Sequence, residues 1–403
     1  MTRETWITGI GILSCLGEGP EAHWQALSNG KAHFNTTGIP PYIVHPLVPM
    51  SFDAQIPKKG DQRQMEPWQR IGTYAAGLAL DSAGVKGNAG ILGHMDLIVA
   101  AGGGERDLKV DGAILSGLPK VNTTAPDAMA AAGSGEHDRF LNERLMSDLR
   151  PTLFLAQLSN LLAGNISIVH GVTGSSRTFM GEEAAGVDAV RIALARIGAG
   201  QSDIALVGGA QNAERKEMLM LYEFGGYVLK DAFQPVWDRA AQPGFALGSM
   251  GAFLILEAAE HARARGAKPL ARLAAVVNTR SDRQPGAVAA SLEQLWKRLP
   301  RLDGGYAVIS GASGAGPATA EERGFLDALG EVAVRATGTR IGHGVEPHFA
   351  MNIALAALAV ERKALFAPGD PSEQAADGTV NQVVVTGVGH WRGEGLALVE
   401  AVQ

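Results

Sequence analysis

The passage from Glu182 to Ala210 constrains this chain most. An amphipathic helical pattern, Glu182 to Arg196, runs into an apolar strand pattern, Asp203 to Ala210 (D-I-A-L-V-G-G-A), that closes on paired glycines. A strand apolar at nearly every residue has to be covered on both faces, which implies helices packed above and below a sheet. The same grammar recurs along the chain. Trp6 to Ser14 reads as a short buried strand with glycines inside it, followed by a helix from about Pro20 to Leu27 that ends on Asn29-Gly30. A helix over Trp68 to Ser82, with Gly84 after it, precedes another buried strand, Asp96 to Gly102. Strands alternating with helices in this way specify α/β architecture.

At 403 residues and 46% hydrophobic, the chain can bury one large core or two similar fused ones. A formal net charge of −6, without any Lys/Arg run, argues against nucleic acid as a partner. The start lacks a basic segment followed by an apolar one, and no stretch approaches the 18 or so apolar residues of a membrane span, so a soluble, cytoplasmic protein is expected. The one cysteine, Cys15, excludes an internal disulfide and a cysteine-based metal cluster. No metal and no cofactor are expected. Gly102 to Gly104 lacks the lysine and hydroxyl spacing of a phosphate loop and reads as a strand-end turn.

An internal repeat divides the chain. Gly248 to Ala258 and Gly393 to Ala401 share a glycine-rich entry, an apolar strand and a closing Glu-Ala, so each ends one half: residues 1–258 and 259–403. The charged stretch Ala259 to Gly266 reads as a helix linking the halves. Ile39 to Asp53 and Thr123 to Asp138 read as loops near an entrance or interface. Gly164 to Ile168 reads as a turn entering a β-rich run, with Ile166 to His170 as a strand.

Taken in order and spacing, Trp6 to Ser14 with Trp24, Gln62 to Ala83, Arg150 to Ile168, Ile204 to Ala210, Trp237 to Glu257 and Glu260 to Lys268 resemble the β-ketoacyl-acyl-carrier-protein synthases, and more narrowly their chain-length-factor subunits. The resemblance covers nearly the whole chain. It implies the thiolase-like fold: two similar βαβαβ halves in a five-layered α/β/α/β/α sandwich. It also implies a dimer, as homodimer or as heterodimer with an active ketosynthase, and acyl carrier protein as a partner.

Active members of that family use a cysteine thiolate at a helix N-terminus and two histidines. Counting back from Gly208-Gly209-Ala210 along an ungapped helix, the cysteine falls at Glu183; residues 171–180 then form an inserted loop. The family's first histidine aligns with Gly311, in the turn Gly311-Ala312-Ser313, and the second matches His343. His343 reads either as a binding group in a remnant pocket or as a hydrogen-bonded structural histidine. Gly387-Val388-Gly389 occupies the loop that lines the family's acyl pocket, with Val388 in place of a phenylalanine gate; His390 reads either as a ligand contact or as an exposed loop histidine, and Trp391 as packing. A second register would put Thr173-Gly-Ser-Ser176 at the nucleophile, with His170 as base. Two functions follow from these residues: a non-catalytic subunit paired with an active ketosynthase, or an enzyme with an altered catalytic set, either a 3-oxoacyl synthase or a malonyl decarboxylase.

Overall fold

Strand β1 (Thr5–Ser14) is buried along its whole length, and its glycines show why the sequence places them there. Helix α2 (Pro67–Ser82) crosses so near that a Cβ at Gly11 would fall 1.9 Å from the Ala75 carbonyl oxygen. No side chain fits between this helix and strand. The computed structural model describes residues 3–105, 108–118, 135–148, 157–303, 305–376 and 378–402.

After β1 come β2 (Gly17–Glu18), β3 (Val44–His45), β4 (Asp96–Ala100), β5 (Ser176–Phe179), β6 (Ile204–Gln211), β7 (Leu247–Gly248) and β8 (Met250–Ala258). The later strands are β9 (Ala271–Thr279), β10 (Tyr306–Ser310), β11 (Val334–Ala336), β12 (Gln382–Val388) and β13 (Glu394–Glu400). One large sheet runs β11-β10-β12-β13-β9-β1-β8-β6-β4-β5, with β2 folded back on β1; β3 and β7 pair separately. Outward from β1 the order β8, β6, β4, β5 repeats outward from β9 as β13, β12, β10, β11. In each arm the second strand is antiparallel to both neighbours and the outer strands are parallel. The arms join through Trp6 opposite Arg272 and Ile7 opposite Ala271. The two strands of the sequence repeat, β8 and β13, hold equivalent places.

The principal helices besides α2 are α1 (Gly19–Ser28), α3 (Leu161–His170), α4 (Glu182–Gly198), α5 (Lys216–Phe224), α6 (Ala259–Ala264), α7 (Ala287–Trp296), α8 (Gly316–Asp327) and α9 (His348–Arg362). Small side chains of α4 (Ala185, Ala189, Ala193) and of α9 (Ala350, Ala354, Ala357) pack together with residues of both arms in one core. Small residues let the two helices lie close, so α4 and α9 form the middle layer. α2 and α3 cover the β4–β6 face, and α7 and α8 cover the outer face of β10 and β12. This is the thiolase-like α/β/α/β/α arrangement.

Ile166 to His170 is not a strand. It is the end of α3, whose buried residues Leu162, Ala163, Ile166 and His170 fall on one helical face. The strand before α4 is β5, Ser176–Phe179, which lies inside the stretch read as an inserted loop. Its polar, half-exposed residues give no apolar alternation because it is the sheet's edge. Of the stretch Thr123 to Asp138, residues 123–134 lie outside the described residues, and 135–138 open a helix, Gly135–Asp148, rather than continue a loop.

Candidate functional site

β5 turns into α4 through a sharp elbow. Gly181 has φ +125° and Glu182 φ +54°, a left-handed conformation that costs a non-glycine residue about 1 kcal/mol or more. The turn delivers Glu183 to the first turn of α4, 5% exposed. Two histidines from distant parts of the sequence meet it there. His343 Nε2 lies 2.7 Å from Glu183 Oε1, and His390 Nδ1 lies 3.0 and 3.1 Å from the two carboxylate oxygens. The backbone N–H of His390 also donates to Oε1, at 3.3 Å.

Burial by itself would raise the Glu183 pKa. The charge of His390 and the hydrogen bonds from both imidazoles overcome that and hold the carboxyl well below its usual range. Burial likewise would lower His390, but attraction to Glu183 prevails and raises it. Glu183 and His390 therefore form a buried carboxylate–imidazole pair in which each favours the other's charged form, with His343 beside it and the start of α4 adding favourable dipole. Aromatic rings enclose His390: Tyr227 at 4.6 Å, and Tyr222 and Phe245 each at 5.5 Å between ring centroids. His343 packs between Phe245 and His348, and its Nδ1 is buried without a hydrogen-bond partner.

Further polar groups surround this centre. His348 Nδ1 accepts from the Gly344 N–H at 3.1 Å, which leaves its Nε2–H to donate to the Thr337 hydroxyl, 3.2 Å away; that hydroxyl in turn donates to Asn352. Burial keeps the His348 pKa well below the ordinary value, so it is neutral. Glu346 is buried against Gly102, and burial, reinforced by repulsion from Glu183 and Glu182, raises its pKa to about 7. Val345 beside it has φ +55°, unusual for a β-branched residue. Around the turn after β10, Glu322 accepts from the Ser310 and Thr386 hydroxyls, and burial raises it to about 7.

The structure thus brings Glu183 and His343 together and adds His390, which is buried and not an exposed loop residue; it is Trp391 that is exposed. Gly311 donates its N–H to the Thr386 hydroxyl at 3.0 Å. A Cβ there would fall 2.6 Å from the Thr386 carbonyl oxygen, so this backbone holds no side chain at that position. Val388 packs with Val308, Phe325 and Leu396 in the outer core of the second arm, while Gly387 lies against Phe349 and Val187. Thr173 and Ser176 precede or begin β5, away from the start of α4, and His170 is engaged with the Thr73 carbonyl at 2.8 Å. Cys15 is buried and its thiol is pushed up to about 12, so the one cysteine is neither at the elbow nor ionised. Of the two sequence readings of His390, exposure fails, because it is buried against Glu183 in the glycine-spaced turn directly after β12.

A doubled thiolase-like sheet with an acidic elbow residue held by two histidines defines a condensing-enzyme scaffold. The sequence model described as Beta-ketoacyl synthase, N-terminal domain, matches residues 2–262, and the chain belongs to the β-ketoacyl synthase family. It is 25% identical over 367 residues, 85% of this chain and 82% of the relative, to the 3-oxoacyl-[acyl-carrier-protein] synthase 2 of Vibrio cholerae. It is 26% identical over 380 residues, 88% and 85% of the two chains, to the tetracenomycin polyketide synthase ketoacyl synthase beta subunit of Streptomyces glaucescens. Among solved structures, the ishigamide ketosynthase/chain length factor superposes with a TM-score of 0.76 at 18% identity over 100% of both chains. A β-ketoacyl synthase from Burkholderia phymatum gives 0.77 at 18% identity, again over 100% of both. Among the described residues no helix is long and apolar enough to cross a membrane.

Proposed function

We propose that this chain is a ketosynthase-family protein of fatty acid or polyketide synthesis that does not itself condense acyl groups, and that it acts as a chain-length-factor-like subunit paired with an active ketosynthase. One observation carries the reading: the side chain at the start of α4 is a buried carboxylate whose oxygens are already taken up by His343 and His390. An acyl carrier needs a thiolate there, and a decarboxylating site needs free imidazole donors for the enolate oxygen. Glu183 stands where the thiolate would be and takes up the imidazole donors, so neither requirement is met, and its charge repels an incoming malonyl carboxylate.

The partner surface follows from β5. Among the described strands it pairs only with β4, so its other edge is unpaired, and Ile168 and Met180 beside it are 75% and 64% exposed. An open edge flanked by apolar side chains suits strand pairing across a twofold or pseudo-twofold axis. We assign the partner as a second ketosynthase-fold chain, and acyl carrier protein as the ligand of the pair.

The test is intact-mass spectrometry and carbon dioxide release on the isolated chain with malonyl- and acyl-loaded carrier protein. No acyl increment and no decarboxylation above background are expected, while the chain added to an active ketosynthase shifts product length. Carbon dioxide release abolished by His343→Ala would instead establish the decarboxylase. A covalent acyl group on Thr173, Ser175 or Ser176 would establish an enzyme with a hydroxyl nucleophile.

A further inference from the structure

Away from the Glu183 centre, a cleft of about 460 Å³ opens between the 3-10 turn Val236–Asp238 and the start of α8. Its size falls within the roughly 300–1,000 Å³ of small-molecule sites. Val236, Pro243, Pro317 and Ala320 give it apolar walls, and Trp237 forms one side with the Arg323 guanidinium 5.1 Å over its ring. Both charged residues among the described residues that line it, Arg239 and Arg323, are cationic; Arg323 is paired with Asp327 at 2.8 Å, which leaves Arg239 as the cation without a carboxylate bonded to it.

Two independent features point inward to an anion. The first is the N-terminus of α8: its cap position is Ala315, without a side-chain cap, its first turn carries Pro317 and no acidic residue, and so its dipole is uncompensated. The second is Arg239, 2% exposed, whose Nε donates to the Gln234 carbonyl at 2.9 Å and whose Nη1 donates to those of Gly244 and Ser313 at 3.2 and 3.0 Å. Its Nη2 is buried with no hydrogen-bond partner. Asp370 acts on this guanidinium electrostatically but makes no hydrogen bond to it, and burial lowers the Arg239 pKa only to about 9, which leaves it charged at neutral pH. The loop is shaped around the arginine: Gly314, at φ +91°, is where a Cβ would fall 2.6 Å from both Cδ and Nη1 of Arg239. A buried cation held by carbonyls alone, with one N–H pair unmet, is costly unless an anion completes it.

We propose that this cleft binds the anionic end of a small amphipathic molecule, a carboxylate or phosphate group joined to an apolar body. The head group meets Arg239 and the Gly316 and Ala318 amides at the start of α8, those of Gly314 and Ala315 being taken by the Thr319 and Ser313 hydroxyls, and the body lies along Trp237 and the two prolines. Nothing in this assignment depends on whether the Glu183 centre is catalytic.

The experiment is calorimetric titration of the full chain with octanoate, octyl phosphate, octanol and inorganic phosphate. Octanoate or octyl phosphate is expected to bind at least about tenfold more tightly than octanol, because a hydrogen bond to a buried charge is worth at least that ratio. Inorganic phosphate, which has no apolar body, is expected to bind more weakly than octyl phosphate, and the order of octanoate and octyl phosphate identifies the head group. Arg239→Gln should remove the preference for the anion. Ala320 is exposed, so Ala320→Trp fills the cleft without touching the core and should abolish binding while circular dichroism stays unchanged. Octanol binding as tightly as the anions, no anion binding at millimolar concentration, or full binding by Ala320→Trp would overturn the assignment.

Discussion

Glu183→Gln keeps the shape of the elbow and removes its charge, so it measures how ionic the buried centre is. In the native chain the carboxylate takes hydrogen bonds from two imidazoles and a backbone amide at 5% exposure. Glutamine keeps one oxygen as an acceptor but brings an N–H pair against donors, and leaves His390 to neutralise inside its aromatic enclosure. Breaking a buried ion pair by removing one partner costs about 3–5 kcal/mol, and the retained hydrogen bond returns about 1 of that, which gives a net loss of about 2–4 kcal/mol. With about 2.1 cal/mol/K of unfolding entropy per residue over 403 residues, this lowers Tm by about 2–5 °C.

The pH dependence gives the sharper test. The lowered pKa of Glu183 contributes stability above the ordinary carboxylate value of about 4.3, lost as pH falls through the folded value. The raised pKa of His390 contributes stability that is complete below about 6.5 and lost as pH rises through its folded value. Both contributions vanish in the variant. Its deficit should therefore be greatest between about pH 4.5 and 6.5 and shrink, without disappearing, above pH 7. Glu346 and Glu182 also act on His390, but both remain in the variant and largely cancel in the comparison. Calorimetry or denaturant melts of both proteins from pH 5 to 9 provide the measurement. A deficit that is flat across this range, or a variant more stable than the native chain at pH 6, refutes the ionic description of the centre.

Three further outcomes are expected. Cys15, buried with its thiol pushed up to about 12, should resist iodoacetamide and disulfide reagents in the native state and react only in denaturant; labelling at the native rate of a free thiol would contradict its placement. Gly11→Ala should abolish soluble folded protein, since its Cβ would sit 1.9 Å from the Ala75 carbonyl oxygen, and a native-like circular dichroism melt would count against the α2–β1 packing. Lys363, the cap at the end of α9 with φ +53°, is exposed, so Lys363→Gly should raise stability by about 0.5–1 kcal/mol in denaturant melts.

The alternation of helices and strands was legible because apolar periodicity is strong wherever an element is buried. β1, α2, β4, α4 and β6 all fall within a residue or two of the pattern. α3 and β5 were misread for one physical reason in two forms. The β-branched residues of Ile166 to His170 imitate a strand although their burial has helical spacing, whereas Ser176 to Phe179 is an edge strand whose partly exposed side chains carry no alternation. At the site, Glu183 and His343 could be reached through the family resemblance. The burial of His390 could not, because it depends on the fold of the turn after β12 and on Tyr222 and Tyr227, which stand more than 160 residues away in sequence.

That third residue changes what the substitution at the elbow means. A carboxylate put alone into such a buried pocket would be an unpaired buried charge and would shift its pKa upward, as Glu346 and Glu322 do here to about 7. Glu183 shifts the other way, because His390 supplies the countercharge and His343 a second donor. Glu183, His390 and His343 therefore form a compensated set, and each member is required by the others. Removing His390 alone should strand Glu183 and raise its pKa, whereas Glu183→Cys sets a thiol between His390 and His343, which stabilise a thiolate as they do the carboxylate. Glu183→Cys, assayed by acyl adduct mass, is therefore expected to take up an acyl group where the native chain does not, and Glu183→Cys combined with His390→Phe to lose most of it; equal adduct in both variants would refute the coupling.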